Sequence, residues 1–497
     1  MKSSVKIGML LMIVVMMAVS GFSPIIASAV SNEKIQKIEQ FVEEQRSMSK
    51  TPGISVVIVE KGKTVYQKGF GYADVKLKKP VTGNTLFELG STTKAFTALA
   101  ILQLEQEGLL KRSDDVQKYI PWLKLTYNGA PQTITLNQLL HHTSGIAFNS
   151  IALIPESNAD NALELTVKRL QSQQLNRKPG SSFEYATINY DVLGLVIEIV
   201  TKKPYDVYMK QHILEPIGMK GSFVGLHQVQ SVEMAAGYKI GFMKAQMYTP
   251  PVYRGNIPAG YIISNTNDIA KWMNLQLGID PSHSIDKQLI YESHIPDETV
   301  EPFDENTRYA YGWEILKEND KKYILHDGEN PTFSSYFIMQ PDEQLGVVIL
   351  ANMKTSFTTS IGQGVMDLWE GKNVSNNHID SYQKLDQILT IICIFIGCVG
   401  VSFTLLSLRV MRKLAQKQRN WTSLNGKRLW LFVLHTLIVA ASMTFMILAP
   451  KIFLGGLPWA FIKVWAPATI PLTLYSVFAV GAIYFIFGSL LVFTKRQ

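Results

Sequence analysis

Three long apolar segments at the C-terminal end of the chain constrain its architecture most strongly. They cover residues 388–408, 429–449 and roughly 470–493, and none of them contains Asp, Glu, Lys or Arg. Each is long enough to cross a hydrocarbon core of about 30 Å as a helix. A buried helical hairpin is the alternative, which three charge-free spans disfavour. The sequence therefore predicts a three-helix transmembrane domain over 388–497.

The distribution of basic residues predicts the orientation of these helices. By the positive-inside rule, the basic loop and tail lie in the cytoplasm, which puts residues 30–387 on the outer face of the cell membrane. The net charge of +8 therefore reflects membrane topology and gives no indication of nucleic-acid binding. The basic residues of the first loop and the tail are Arg409, Arg412, Lys413, Lys417, Arg419, Lys427, Arg428, Lys495 and Arg496.

The first 29 residues have the pattern of a secretory signal peptide. Lys2 and Lys6 form a basic start, residues 8–19 are apolar, and Ala27-Ser28-Ala29 is a small-residue cleavage motif. A signal peptide requires the same orientation as the basic loop, and a retained anchor is the alternative. We expect an extracytoplasmic domain over 30–375, followed by a linker over 376–387.

The extracytoplasmic region alternates between strand-like ends and a helical middle. The only cysteines, Cys393 and Cys398, lie in the first apolar run, so the exported domain has neither a disulfide nor a thiol nucleophile. Strands at both ends of a domain with helices between them predict an α+β fold, in which one antiparallel sheet is closed by the two termini and a helical lobe lies beside it. The predicted strands are 53–60, 64–73, 323–326, 334–340 and 345–352, and the helical middle covers about 115–300.

One Ser-x-x-Lys pattern stands out as a candidate nucleophile. The pattern occurs six times, but only Ser91 and Lys94 follow a strand and a glycine and open a long apolar helix, predicted over 94–110. The spacing lets the amine reach the hydroxyl at a helix N-terminus. A desolvated, neutral lysine can act as the base that activates a serine.

Further candidate residues follow along the chain. His141 and His142 lie in LLHHTSGI, where a metal site is the less favoured interpretation because no further ligand follows at a suitable spacing. Tyr185 lies in PGSSFEYATINYDVLG at a predicted helix start, either as a packing aromatic or as a proton-transfer group. His326 ends a strand in HDG and offers either positive charge or hydrogen bonding beside a substrate.

Together these motifs resemble the serine β-lactamase/penicillin-binding superfamily, in particular the branch of class C β-lactamases, D-aminopeptidases and related esterases. The resemblance covers about residues 35–370 and implies a β-lactamase/transpeptidase-like antiparallel sheet flanked by helices, with an all-helical lobe facing the site. It implies neither a metal nor an organic cofactor. The motifs that carry it are GSTTKAF, LLHHTSG, PGSSFEYA, PAGYIIS, YGW and HDG.

The resemblance implies a role for each matching residue. Ser91 would be the acylated nucleophile, and Lys94 and Tyr185 would share the proton transfers. The backbone N–H groups of Ser91 and Glu329 would form the oxyanion hole. His326 replaces the lysine that begins the third motif in many relatives.

Two departures from the superfamily pattern concern substrate choice. Thr187 stands where many relatives have the asparagine of Tyr-x-Asn, and Asp327 introduces an acid into the third motif. Both make an ordinary cell-wall or β-lactam substrate less expected.

A narrower resemblance accounts for the first departure. The chain is similar over nearly its whole length to the prodrug-activating peptidases of nonribosomal peptide/polyketide pathways, of the colibactin- and zwittermicin-maturing type. Those membrane enzymes remove an N-acyl-D-asparagine cap from an exported precursor. The resemblance implies that Thr187, Asn256 and Asn330 contact the asparagine side chain, with His326 beside the substrate. Asn256 and Asn330 are otherwise interpreted as turn residues, Asn330 directly before a proline and Asn256 one residue short of that position.

Three functions are consistent with these patterns. The first is a membrane-anchored peptidase for an N-acyl-D-asparaginyl precursor, whose partners are the cytoplasmic membrane and an export transporter. The second is a general penicillin-binding-type D-aminopeptidase, carboxypeptidase or D-alanyl esterase acting on the cell wall. The third is a non-enzymatic sensor, which the presence of Ser91, Lys94 and Tyr185 disfavours.

Overall fold

The computed structural model describes residues 23–279, 284–318, 320–423 and 425–497. The strands are β1 Gly53–Glu60, β2 Lys63–Asp74, β3 Lys79–Pro80, β4 Phe87–Glu88, β5 Thr126–Tyr127, β6 Ala130–Pro131, β7 Phe223–Val224, β8 Tyr238–Gly241, β9 Lys244–Met247, β10 Ile262–Ser264, β11 Thr307–Tyr309, β12 Glu314–Glu318, β13 Lys321–Glu329, β14 Ser334–Gln340, β15 Leu345–Ala351, β16 Arg419–Trp421 and β17 Thr494–Arg496. The helices are α1 Ser23–Ser49, α2 Lys94–Gln106, α3 Leu136–Leu140, α4 Ala162–Lys168, α5 Ile188–Thr201, α6 Tyr205–Met209, α7 Glu215–Ile217, α8 Ile257–Gly260, α9 Thr266–Gln276, α10 Lys287–Ser293, α11 Phe357–Trp369, α12 Ser381–Ala415, α13 Gly426–Phe453, α14 Trp459–Trp465 and α15 Thr469–Phe493.

An eight-stranded antiparallel sheet forms the centre of the domain that precedes the three apolar helices. Its strand order is β11-β12-β13-β14-β15-β1-β2-β3, so the first strand of the domain pairs with the last, Ile54 opposite Ala351. This confirms the predicted sheet closed by the two termini. β1 and β15 are buried over nearly their whole length, because helices cover both faces of the sheet.

Two apolar layers enclose the sheet. α1 and α11 cover one face, where Phe41 and Phe357 pack against the strands. α2 and α9 cover the other, where Phe96 and Trp272 stack with ring centroids 3.6 Å apart. This second layer continues into the helical lobe, which includes α3 to α6. The antiparallel sheet with its flanking helices and separate lobe is the α+β fold that the sequence predicts.

Several element boundaries differ from the predictions. α1 extends from Ser23 to Ser49, through the predicted cleavage motif 27–29, whereas the basic start and apolar core of the predicted signal peptide lie outside the described residues. α2 ends at Gln106, because Gly108 at φ +75° interrupts the helical backbone soon afterwards. α12 begins at Ser381, inside the predicted linker 376–387, because the Asp380 side chain caps it.

Within the described residues, three helices are long and apolar enough to cross a membrane. They are α12, α13 and α15, with 35, 28 and 25 residues, and together they include the three apolar runs. α15 packs against both of the others. At the end remote from the sheet, β16 pairs with β17 and brings the basic loop and the basic tail together.

The domain that contains the sheet is attached to the three apolar helices through the β8–β9 hairpin. Asp386, in the second turn of α12, is fully buried and accepts the backbone N–H groups of Phe242 and Met243 at 3.2 and 2.6 Å. The Thr469 hydroxyl at the start of α15 donates to the same carboxylate. One buried acid therefore holds the hairpin and two membrane helices in a single arrangement.

Asp386→Ala should loosen this attachment. The change removes the charged acceptor of two part-buried N–H groups, at a cost of about 3 kcal/mol. Hydrogen exchange at the Phe242 and Met243 amides of the full chain in detergent should accelerate about 100-fold. Asp342→Ala, at an exposed turn residue, is the matched control. Wild-type exchange rates in Asp386→Ala would show that Asp386 does not hold the hairpin.

Candidate active site

Ser91 and Lys94 meet at the start of a helix. Ser91 lies in a single 3₁₀ turn, Gly90–Thr93, that leads directly into α2, and Lys94 is the first residue of α2. The Lys94 Nζ donates to the Ser91 Oγ at 3.0 Å and to the Ala259 carbonyl at 2.8 Å. The Ser-x-x-Lys spacing therefore gives the geometry required of a nucleophile and its base.

The environment of Lys94 favours a neutral amine. The side chain is 0 % exposed, and this burial lowers its pKa to about 7, against the opposing effect of the Asp191 and Asp327 carboxylates. A lysine with this pKa is neutral in a large fraction of molecules near neutral pH, so it can accept the Ser91 proton.

Tyr185 lies in the loop three residues before α5, and its hydroxyl is buried. The hydroxyl makes no hydrogen bond of ordinary geometry with the described residues, and the Lys94 Nζ lies 5.1 Å from the centre of its ring. Burial raises the pKa of Tyr185 well above its usual value, with the Ser91 hydroxyl acting in the opposite direction. Tyr185 is therefore a protonated phenol, able to donate to a leaving group.

His142 positions Tyr185. Its ring packs on the Tyr185 ring with centroids 4.2 Å apart, and its Nδ1 accepts from the Ala186 N–H and the Asn189 amide. The side chain is fully buried, and burial holds its pKa well below the usual value. His142 is thus a neutral packing residue, and among the described residues no group of His, Cys, Asp and Glu is arranged to hold a metal ion.

His326 is neutral as well. It is 1 % exposed, and burial, with Lys94 adding to the effect, lowers its pKa to about 3. Its Nε2 lies 2.9 Å from the Tyr309 hydroxyl and its Nδ1 2.5 Å from the Asp327 carbonyl. Of the two roles considered for His326, positive charge is therefore wrong, because the site is too desolvated to stabilise an imidazolium ion.

Gly90 brings the two candidate oxyanion donors together. It has φ +59°, and a Cβ at this position would lie 2.5 Å from the Glu329 backbone nitrogen. Only a glycine permits this approach of β13 to the turn that carries Ser91. The end of β13 therefore lies against the nucleophile turn, with Ser91 and Glu329 lining the same cleft.

The three residues predicted to bind a carboxamide line this cleft too. Thr187, Asn256 and Asn330 are 8 %, 4 % and 2 % exposed. The Asn256 side-chain amide lies against both carboxylate oxygens of Asp191, and we assign its nitrogen to that side, where it can donate to them at 3.0 and 2.9 Å. The Asn330 amide nitrogen donates to Glu88 at 2.7 Å and to the Gly260 carbonyl at 2.9 Å.

These partners fix the direction in which each amide faces. Both N–H groups of Asn330 are used within the protein, so its carbonyl oxygen is the group left for a ligand. Asp191 orients Asn256 in the same sense. Burial raises the pKa of Glu88 to about 7, against the effect of Asn330, and raises that of Asp191 well above its usual value, against the effect of Lys94.

The membrane domain forms one wall of the cleft, which has a volume of about 540 Å³. Its polar side carries the residues described above. The apolar side combines two parts of the chain. From the domain that contains the sheet come Phe148, Ile151, Phe183 and Phe303, and from the membrane domain come Tyr382, Leu457, Phe461 and Trp465.

Lys354 connects this wall to the candidate oxyanion hole. Its Nζ lies 3.1 Å from a Glu329 carboxylate oxygen and donates to the Tyr382 hydroxyl at 2.5 Å. The ammonium also lies 5.0 Å from the centre of the Trp465 ring. Burial disfavours the charge of Lys354, but Glu329 and Tyr382 outweigh it and raise the lysine's pKa above the usual value.

Sequence reasoning missed several of these residues. Asp191 and Glu88 carried a signal, since each is an isolated acid within an apolar stretch, which indicates a buried and partnered carboxylate. Lys354 and Trp465 carried no such signal, because their importance arises from the packing of distant segments.

The rate at which an activated ester such as p-nitrophenyl acetate acylates Ser91 should rise with pH through about 7 and then level off. Lys94 accepts a proton only when neutral, and its lowered pKa places that change near 7. Asp327→Asn removes a charge that raises the lysine's pKa, so the midpoint should move to lower pH. Asp342→Asn, an exposed acid outside the cleft, should leave it in place. An unchanged midpoint in Asp327→Asn would contradict this account of Lys94.

Comparisons with known proteins show the family to which the chain belongs. The family model described as Beta-lactamase matches residues 36–361. Protein flp of Staphylococcus aureus (strain MRSA252) is 31 % identical over 456 residues, which cover 90 % of this chain and 89 % of that protein. The Bacillus subtilis (strain 168) protein named "Putative penicillin-binding protein PbpX" is 40 % identical over 188 residues, or 37 % of this chain and 45 % of that protein.

Solved structures agree at the level of the fold. The octameric penicillin-binding protein homologue from Pyrococcus abyssi superposes with a TM-score of 0.61 at 30 % identity, covering 71 % of this chain and 81 % of that one. A class C beta-lactamase superposes with a TM-score of 0.59 at 19 % identity, covering 69 % and 98 %. The chain therefore belongs to the beta-lactamase family of serine hydrolases.

Proposed function

We propose that this protein is a membrane-anchored serine peptidase that removes an N-acyl-D-asparagine cap from an exported small-molecule precursor. Ser91 would attack the asparaginyl carbonyl while neutral Lys94 takes its proton. The N–H groups of Ser91 and Glu329 would stabilise the oxyanion, and Tyr185 would protonate the leaving amine. Water would then release N-acyl-D-asparagine from Ser91.

The observation that carries this proposal is the set of polar groups beside Ser91. Asn330 offers a carbonyl oxygen, since both of its N–H groups are used internally. Asn256 is oriented likewise by Asp191. The Thr187 hydroxyl makes no hydrogen bond with the described part of the chain and can donate one.

These groups match a primary carboxamide. Its two N–H groups can donate to the two carbonyl oxygens, and its own oxygen can accept from Thr187. A carboxylate in the same place would have no N–H groups to donate to the Asn256 and Asn330 carbonyl oxygens. Its own oxygens would face these acceptors instead of donors. The pocket therefore favours asparagine over aspartate, although the two have nearly the same shape.

The proposed location follows from the membrane helices and the charge distribution. The basic residues of the loop and tail lie at the end of the helices remote from the catalytic domain. We infer that this end is cytoplasmic and that the active site lies outside the cell membrane. Cleavage there would follow export of the precursor by a transporter and would release the active compound outside the cell.

The full chain should cleave N-acetyl-D-asparaginyl p-nitroanilide much faster than its L-asparaginyl and D-aspartyl analogues. A polar site of this kind discriminates by about 10⁴-fold when its groups are left unpaired. The measurement is kcat/KM for the three substrates under identical conditions. Equal rates for the two asparaginyl isomers, or for asparaginyl and aspartyl substrates, would exclude the proposal.

Thr187→Val tests the pocket at one atom. Valine keeps the shape but removes the hydroxyl, so kcat/KM for the D-asparaginyl substrate should fall about 10- to 100-fold. Hydrolysis of p-nitrophenyl acetate should change little, because that ester has no carboxamide. Thr201→Val is the matched control, since Thr201 ends the same helix and donates to the Ile197 carbonyl at 2.6 Å. An equal loss on both substrates would indicate a structural role for Thr187.

A second candidate is a penicillin-binding-type hydrolase acting on the cell wall, as a D-aminopeptidase, carboxypeptidase or D-alanyl esterase. The similarity to a protein named as penicillin-binding favours it. Stoichiometric acylation of Ser91 by a β-lactam, together with hydrolysis of D-alanyl esters, would support this candidate. Failure of both reactions would exclude it.

A further inference from the structure

A second cavity opens beside the active-site cleft. Its volume is about 210 Å³, and its lining is predominantly apolar. It shares four lining residues with the cleft, namely Ile151, Asn256, Phe461 and Trp465. The two spaces therefore adjoin at these four residues, and together they are called the channel.

The outer wall of this channel belongs to the membrane domain. α14 supplies Phe461 and Trp465, whose rings stack with centroids 5.5 Å apart. Opposite them lie Ile151 and Ile154, from the end of a 3₁₀ segment in the extracytoplasmic domain. The channel thus exists only where the two domains meet.

The wall is held in place by polar contacts outside the channel. The Lys239 Nζ donates to the carbonyls of Lys463 and Val464 at 3.0 and 2.9 Å, at the C-terminal end of α14. The Ala468 N–H donates to the Ile240 carbonyl in the same hairpin that Asp386 binds. α14 is therefore a fixed part of the site.

We propose that this channel binds the acyl chain of the substrate. This inference rests on the proposed function, and it assigns a binding site to the acyl chain of the N-acyl-D-asparagine cap. With the asparagine carboxamide held at Thr187, Asn256 and Asn330, the N-acyl group would extend past Asn256 and between α14 and Ile151. A polar cell-wall strand would leave its hydroxyl and amide groups unpaired against these side chains.

The position of α14 suits an amphiphilic substrate. α14 lies in the connection between α13 and α15, at the end of the membrane helices that faces the catalytic domain. An acyl chain in the bilayer would reach this channel with less exposure to water than through the open side of the cleft. The membrane domain would then select the substrate as well as anchor the enzyme.

The test compares N-acetyl-, N-hexanoyl- and N-decanoyl-D-asparaginyl p-nitroanilides on the full chain in lipid nanodiscs. Wild-type kcat/KM should rise about threefold to fourfold per methylene until the channel is filled. Phe461→Ala should remove most of this rise, so that the ratio of kcat/KM for the decanoyl substrate to kcat/KM for the acetyl substrate falls toward one. Trp459→Ala is the matched control, an aromatic of the same helix outside both cavities, and should behave as wild type.

A rise that persists in Phe461→Ala would overturn the proposal, because simple partition of longer chains into the bilayer gives that result. No rise in the wild type would overturn it as well. Inhibition of p-nitrophenyl acetate hydrolysis by N-acylglycines of the same chain lengths tests the channel without asparagine. In one outcome, inhibition by the N-acylglycines strengthens with chain length only when Phe461 is present, while the D- and L-asparaginyl substrates react at equal rates. That combination would support the acyl-binding channel and reject the proposed function.

Discussion

The contact between Lys94 and Ser91 is the interaction on which the rest of the site depends. Burying a charged lysine without a carboxylate in contact destabilises the folded protein, and Lys94, the first residue of α2, is such a lysine. Burial lowers the lysine's pKa to about 7, so the amine that orients the serine can also deprotonate it. The Ala259 carbonyl fixes its position, which leaves the Ser91 hydroxyl as its other hydrogen-bond partner.

The titratable side chains His142, His326 and Tyr185 around Lys94 are neutral, so they do not add charge beside this base. His142 and His326 are both buried with lowered pKa values, so neither places a second cation beside Lys94. Tyr185 keeps its proton for the same reason of desolvation, and so serves as an acid at a pH where Lys94 serves as a base. Lys354, the one lysine or arginine that lines the cleft in the described part of the chain, is balanced by Glu329.

Much of the fold and the catalytic cluster was predictable from the sequence. The terminal strands, the long helix after Ser91 and the three apolar helices follow from local periodicity, which is visible in a single sequence. Thr187, Asn256 and Asn330 came from family resemblance, and the structure brings all three to one cleft. The protonation of His326 was not predictable, since it depends on burial among residues distant in the chain.

The contribution of the membrane domain was the least accessible to sequence reasoning. Phe461 and Trp465 follow the second apolar run and have no catalytic motif around them. Their place in the cleft depends on Asp386 and Lys239, whose contacts join segments more than 140 residues apart. Such contacts have no local pattern, because they arise only when two folded domains dock.

The most direct test of the account is the mass of the full chain after acid quenching during turnover of N-acetyl-D-asparaginyl p-nitroanilide. The account predicts one N-acetyl-D-asparaginyl group on the peptide that contains Ser91, formed with release of the amine. It also predicts no adduct and at least a 10⁴-fold lower rate in Ser91→Ala. An adduct on another residue, or turnover by Ser91→Ala at the wild-type rate, would contradict it.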